Sequence, residues 1–165
     1  MAWADPDEPL QISVLDRLLD ASPERRADPP RSRAHSLNDL RRAVGRDLES
    51  LLNTRERCRS SPDDLTELET SLVNYGIPDF TGANLATPER RDDFRASVEA
   101  VIRRYEPRFQ SIRVVMLDNV DQLDRTLRFR IEALMKAEPA PEPVVYDSIM
   151  DPVSRNFSVT DRGDD

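Results

Sequence analysis

Apolar residues recur at two different spacings along the chain, and the change between them separates a helical part from a β-strand part. Spacings of three and four predict amphipathic helices over residues 37–53 and 88–105, with a shorter helix beginning at Pro62 and Asp63. After Pro107 the spacing becomes two, which is typical of strands with one buried face. The predicted strands contain 112–116, 127–133, 144–146 and 157–159. This order of elements predicts an α+β fold, with two to three N-terminal helices packed on a C-terminal antiparallel sheet of about four strands.

The residues at the predicted helix ends are of types that favour those positions. Ser36 is expected to cap the first long helix, and Thr87 to cap the second. Tyr75 and Gly76 are expected to stop the short helix, with Gly76 in the left-handed conformation of a C-terminal cap. Gly45 lies inside the first helix, where it either weakens the helix by about 1 kcal/mol or marks a close packing contact.

Residues 1–35 differ in composition from the rest of the chain. They hold five of the 13 prolines, and such a segment does not bury enough apolar surface to offset its ordering entropy. We therefore expect a flexible segment over 1–35, a single domain over 36–160 and a disordered tail over 161–165. One short apolar island, ISVLDRLLD, predicts a two-turn helix. It either folds back onto its own domain or docks into a partner through its apolar residues, which are Ile12, Leu15, Leu18 and Leu19.

Charge and composition narrow the class of protein. The chain carries 32 acidic and 24 basic residues, for a net charge of −8, and this balance argues against a nucleic-acid-binding or anionic-membrane-binding surface. The apolar runs are too short for direct insertion into a membrane. One cysteine, Cys58, and one histidine, His35, leave no internal disulfide and no multi-cysteine or paired-histidine metal site. We expect neither a metal nor a cofactor.

Glu106, Pro107 and Arg108 stand at the predicted corner between the second long helix and the first strand. A carboxylate at a helix C-terminus faces the negative end of the helix dipole, which costs a few tenths to about 1 kcal/mol unless a cation compensates it. Because Pro107 fixes the chain direction, Arg108 is not assumed to pair with Glu106. Glu106 therefore points into solvent or is held by an arginine elsewhere in the chain or in a partner, and the residues alone favour solvent.

An enzyme hypothesis can be built on the same residue. Glu106 as the general acid of a peptidoglycan hydrolase would need a second carboxylate at a set distance and a raised pKa. With 32 acidic residues a second carboxylate is no evidence, and the chain has no aromatic-rich stretch on which sugars would stack. The sequence therefore disfavours an enzyme. A generic adaptor that binds through ISVLDRLLD is a third hypothesis.

The last strands suggest binding by strand addition. A short antiparallel sheet has at least one edge whose main-chain groups can pair with another chain. The clearest alternation of polar and apolar residues predicts the docking strand, and its residues are Arg128, Phe129, Arg130 and Ile131. The two arginines lie on its polar face, where most arginines are simply solvated. Arginine outnumbers lysine by 23 to one in this chain, which suits carboxylate pairing at interfaces but is also what a codon bias produces.

The order of several motifs resembles a known family. The motifs are SVLDRLLD, DLESLLNTR at 47–55, SLVNYGIPDF at 71–80, YEPRF at 105–109, LRFRIEALM at 127–135 and EPVVYDSIMD at 142–151, followed by NFSVT. In this order they resemble the TssE family of type VI secretion baseplate subunits. That family is similar to the small baseplate wedge proteins of contractile-tailed phages and carries an old lysozyme-like label, which nothing in these residues supports.

The resemblance implies a structural role rather than an enzymatic one. It implies that Glu106, Pro107 and Arg108 form the signature motif that seats the subunit in the wedge, so that Glu106 is an anchor. It also implies that the terminal sheet receives the first ring of the contractile sheath by strand addition. The implied partners are the wedge subunits TssF, TssG and TssK and the sheath subunits TssB and TssC. The implied location is the cytoplasm, in a baseplate assembled at the inner membrane.

Overall fold

Three helices precede four strands in the computed structural model. It describes residues 10, 13–18, 24, 32–57, 64–79, 87–118, 126–138, 140–151, 154 and 156–163. The helices are α1 (Val14–Leu18), α2 (Arg33–Asn53) and α3 (Pro88–Tyr105). The strands are β1 (Phe109–Leu117), β2 (Leu127–Met135), β3 (Glu142–Met150) and β4 (Phe157–Asp161). The α+β class, with helices first and a four-stranded antiparallel sheet last, is confirmed.

The sheet is a meander in which every strand pairs with the next one along the chain. Its order is β1-β2-β3-β4, and all three pairings are antiparallel. Helix α2 packs beside β4 and helix α3 beside β1. Strands β2 and β3 are therefore internal, whereas β1 and β4 form the two edges of the sheet.

The buried core lies between the two long helices and one face of the sheet. Each helix contributes an apolar stripe at spacings of three and four, as the pattern predicts. The fully buried side chains include Val44, Leu48 and Leu52 of α2, Val98 and Ile102 of α3, and Phe129, Ile131, Met135 and Tyr146 of the sheet. The ring of Tyr146 lies against α2, where its hydroxyl donates a hydrogen bond to the backbone oxygen of Arg41. A Cβ atom at Gly45 would lie 3.4 Å from that ring, which is an ordinary van der Waals distance, so the packing at this position does not require glycine.

The first long helix begins earlier than expected. Helix α2 starts at Arg33, and its N-cap is Ser32, whose side chain accepts a hydrogen bond from the N–H of His35. The capping role assigned to Ser36 is therefore wrong. Ser36 lies inside the helix, is buried, and donates its own hydroxyl to the backbone oxygen of Ser32. Both serines are helix-capping types, so residue type alone did not distinguish them.

The short helix expected after Pro62 is also wrong for the described residues. Two short 3₁₀ turns, Thr66–Thr70 and Leu72–Asn74, occupy this region. The Ser71 hydroxyl donates to the backbone oxygen of Leu68 and accepts from the N–H of Val73, so a side chain takes the main-chain groups that a continuous α-helix would use. Leu72 is 86% exposed, so its side chain does not contribute to the core.

Gly76 acts through a close approach of two chain segments. Its φ is +121°, and a Cβ atom there would lie 2.6 Å from the backbone oxygen of Thr54. The approach places Ile77 beside Arg55, where Ile77 N–H donates to Thr54 and Ile77 oxygen accepts from Glu56. Only glycine fits this position, but the reason is this contact and not a left-handed cap on an α-helix.

Candidate functional site: the corner between α3 and β1

Glu106 and Arg108 pair with each other at the corner. The Glu106 carboxylate is 5% exposed and accepts two bonds from the Arg108 guanidinium, Nε to Oε1 at 2.6 Å and Nη2 to Oε2 at 2.5 Å. The prediction that Glu106 points into solvent is therefore wrong. Its partner is Arg108, a pairing that the sequence alone left open. The anchor role implied by the resemblance agrees with the burial.

Pro107 is the reason that the pair can form. The chain turns at Pro107 and Arg108, and the Glu106 oxygen accepts from the N–H of Phe109 at 3.3 Å. The turn brings the Arg108 N–H to 3.2 Å from Glu106 Oε1, so that backbone and side chain of Arg108 bind the same carboxylate. Lys136, at the end of β2, donates its N–H to the Arg108 oxygen and its ammonium to the Pro107 oxygen. Both chain segments at the corner are thereby fixed.

The ion pair continues outward along α2. Arg108 Nη2 also donates to Asp47 Oδ2 at 2.7 Å, and Asp47 is 44% exposed. Arg46 lies 3.9 Å from Asp47 and 2.5 Å from the Asp16 carboxylate of α1. Charges of alternating sign therefore connect the buried corner to the N-terminal helix. We call Glu106, Arg108, Asp47, Arg46 and Asp16 the corner network.

The pKa values of two members of the corner network, Arg108 and Asp16, are shifted by their neighbours. Burial alone lowers the pKa of Arg108, but hydrogen bonds and charges from Glu106 and Asp47 outweigh it and raise that pKa above its ordinary value. The hydrogen bond from Ser13, followed by that from Arg46, lowers the pKa of Asp16. The neighbours of Arg108 and Asp16 therefore favour the charged form of each.

Helix α1 presents its apolar residues outward. Its one acidic side chain binds Arg46 of α2, while Leu15 is 58% and Leu18 is 76% exposed. Leu10, just before the helix, packs against the core. The other two residues of the predicted docking set, Ile12 and Leu19, lie outside the described part of the chain. Leu15 and Leu18 are therefore not buried against their own domain, and docking of this helix to a partner stays a prediction.

The strand chosen for docking is not at an edge of the sheet. Strand β2 pairs with β1 on one side and with β3 on the other. Phe129 and Ile131 are fully buried core residues, and Arg130 pairs with Asp147 at 2.8 Å on the opposite face. The main chain of β2 is therefore not open to another strand. Whether Arg128 and Arg130 contact a partner through their side chains stays a prediction.

A comparison with models of protein families decides what these features belong to. The model described as baseplate wedge protein gp25 matches residues 38–140, from α2 through β2, which is more than half of the chain. The chain belongs to the gp25 family. TssE is a member of this family, so the resemblance drawn from the motifs is confirmed. A search of curated proteins finds no significant match.

The gp25 family is a family of structural baseplate proteins, and the corner agrees with that role. A general acid keeps a proton at neutral pH and meets its substrate in a cleft. Glu106 instead faces a guanidinium that binds both of its oxygens. In the part of the chain that the structure describes, no group of three or more metal-ligating side chains comes together, and no helix is long and apolar enough to cross a membrane.

Sequence reasoning missed Asp47 and Arg46, the members of the corner network on α2. Asp47 is 61 positions from its partner Arg108, and no local pattern joins the two. The one available signal is that Asp47 opens the motif DLESLLNTR, which carries the family resemblance together with YEPRF.

Proposed function

We propose that this chain is the TssE-type subunit of a type VI secretion baseplate, where it joins the wedge and initiates assembly of the contractile sheath. The observation that carries the proposal is the gp25 family match over 38–140. The motif order and the terminal antiparallel sheet support the choice of the secretion system and of strand addition as the docking mode. The proposed location is the cytoplasmic side of the inner membrane.

The proposal divides the surface between two sets of partners. The helical side, with the corner network and α1, binds the wedge subunits TssF, TssG and TssK. Asp47 and Arg46 are half-exposed, and Leu15 and Leu18 are exposed beside them on α1, so this side offers both charged and apolar contacts. The sheet offers main-chain hydrogen bonds to the sheath subunits TssB and TssC, and the alternation of its side chains sets the register.

Seeded polymerisation tests the proposal. Purified chain is added to purified TssB and TssC from the same genome, and sheath growth is followed by light scattering and electron microscopy. We expect a shortened lag, with gold-labelled chain at one end of each tube. A lag that is unchanged at stoichiometric chain, with label scattered along the tubes, would contradict sheath initiation.

The corner is tested in cells. A strain lacking this gene is complemented with Arg108→Ala or with Arg42→Ala, and fluorescent sheaths are counted. Arg42 is an exposed arginine of α2 that pairs only with its neighbour Asp39 in the described structure, so it is the matched surface control. We expect sheaths with Arg42→Ala and none with Arg108→Ala at equal protein level. Normal sheath dynamics in Arg108→Ala would refute the seating role.

A further inference from the structure

The two edges of the sheet differ in how their main-chain groups are used. In an antiparallel strand, alternate residues point their N–H and C=O groups to opposite sides. Along β4, the even-numbered positions bond toward β3: the Asn156 oxygen accepts from the N–H of Asp151, just after β3, and the Arg162 N–H donates to Val145 of β3. The N–H groups of Phe157 and Val159, at odd positions, therefore point away from β3. At β1 the N–H of Val114 points away from β2 and toward α3.

Side chains of α2 occupy the β4 edge. The Asn53 amide donates to the Phe157 oxygen at 2.9 Å and accepts from the Phe157 N–H at 2.8 Å. This is the two-bond pattern that a residue of a neighbouring strand would make. One helical turn earlier, Glu49 accepts from the Val159 N–H at 3.3 Å. A strand that added at β4 would have to displace all three hydrogen bonds.

The β1 edge is longer and less occupied. It has nine residues against five in β4. Among the outward N–H groups of β1 in the described residues, only that of Val114 is bound by a helix side chain, and it donates to Glu99 Oε2 at 3.1 Å. The outward N–H groups of Ile112 and Met116, two positions away on either side, have the same direction. A groove of about 620 Å³ runs beside this edge, lined by 114–116 and by Pro88, Arg91 and Arg95 of α3.

We propose that the sheet has one closed and one receptive edge, and that an extended segment of a sheath subunit adds as a fifth strand at β1. The inference rests on the proposed sheath-initiating function and specifies its docking edge. Asn53 and Glu49 take the place of a strand at β4, so that the free subunit does not pair there with other sheets. At β1 the incoming strand lies in the groove and pairs with Ile112 and Met116, and its hydrogen bond at Val114 replaces that of Glu99.

Hydrogen–deuterium exchange locates the docking edge directly. The full chain is exchanged alone and with purified TssB–TssC, and the peptides that contain β1 and β4 are compared. We expect new protection over 112–116 and none over 157–161. Protection confined to 157–161, or binding without protection at either edge, would overturn the inference while leaving the proposed function intact. An absence of any binding would defeat the proposed function itself, and the inference with it.

A pair of proline variants gives a second, independent measurement. Met116→Pro removes an outward N–H that takes no part in the β1–β2 ladder, and Val159→Pro removes the equivalent group at β4. We expect Met116→Pro to weaken sheath binding about tenfold or more and Val159→Pro to change it less than about twofold. Circular dichroism establishes that each variant is folded. The reverse order of effects in folded variants would assign docking to β4 and refute the proposal.

Discussion

Replacing Arg108 by methionine removes the cation from the corner while keeping much of the side-chain volume. Glu106, 5% exposed, is left with a charge and without the guanidinium that binds both of its oxygens. Breaking a buried ion pair on one side costs about 3–5 kcal/mol. Domains of this kind are stable by about 5–15 kcal/mol, so the variant should fold but lose a large share of its stability. At 2–4 °C per kcal/mol, the melting temperature falls by about 6–20 °C.

Two matched variants separate the buried pair from the exposed part of the network. Asp47→Ala removes a partner of Arg108 that is 44% exposed, and we expect this variant to lose only about 0–1 kcal/mol of stability. The double variant Glu106→Leu with Arg108→Met removes both charges, and replacing a buried pair by apolar residues is often neutral. We therefore expect the double variant to regain most of the stability that Arg108→Met loses.

Urea unfolding followed by circular dichroism measures all three variants and the parent chain. If Arg108→Met costs no more than Asp47→Ala, the burial of Glu106 does not govern the corner. If the double variant is at least as unstable as Arg108→Met, the loss comes from packing rather than from an uncompensated carboxylate. Either outcome would refute the reasoning.

Three further predictions concern the helices and the N-terminal segment. Gly45→Ala should stabilise the fold by up to about 1 kcal/mol, since the new methyl group meets the Tyr146 ring at an ordinary distance, and thermal melts measure it. Gly76→Ala should destabilise by about 1–3 kcal/mol in the same assay, because its φ is +121° and the Cβ overlaps the Thr54 backbone. Folding lowers the pKa of Asp16. Its carboxylate therefore stabilises the fold fully at pH values above the pKa of the unfolded chain, near 3.8, and this stabilisation is lost as the pH falls through the pKa of the folded chain. Asp16→Asn should therefore produce at neutral pH the same change in α1 methyl NMR signals that we expect the parent chain to show on acidification, with little effect on the melting temperature.

The change in the spacing of apolar residues predicted the helices and strands well, because a helix or a strand that buries one face must place its apolar residues at the spacing of that element. Helix α3 has the predicted bounds, and the alternation in β2 places Phe129 and Ile131 in the core. The pattern failed between Pro62 and Tyr75, where apolar spacing alone did not weigh the hydroxyl of Ser71 against the helix hydrogen bonds. It also failed to place β2 inside the sheet, because strand order depends on pairing and not on periodicity.

The sequence predicted where in the chain the candidate site lies, but not which of its side chains contact each other. The motif order singled out Glu106 and Arg108, yet a local argument about Pro107 separated the two side chains that the turn in fact brings together. The partner on α2, Asp47, is 61 positions away and is selected by the packing of the helix against the corner. Such contacts need the three-dimensional arrangement, since a single sequence gives no distance between remote residues.

In the motif DLESLLNTR of α2, polar and charged side chains add contacts between segments to those that the apolar core provides. Its leucines lie in the core, while Asp47, Glu49 and Asn53 bind the backbone or side chains of other segments. Asp47 binds the corner that precedes β1, and Glu49 and Asn53 bind the edge of β4, so seven consecutive residues of α2, 47–53, connect the corner to that edge. The polar face of this helix is therefore not simply solvated.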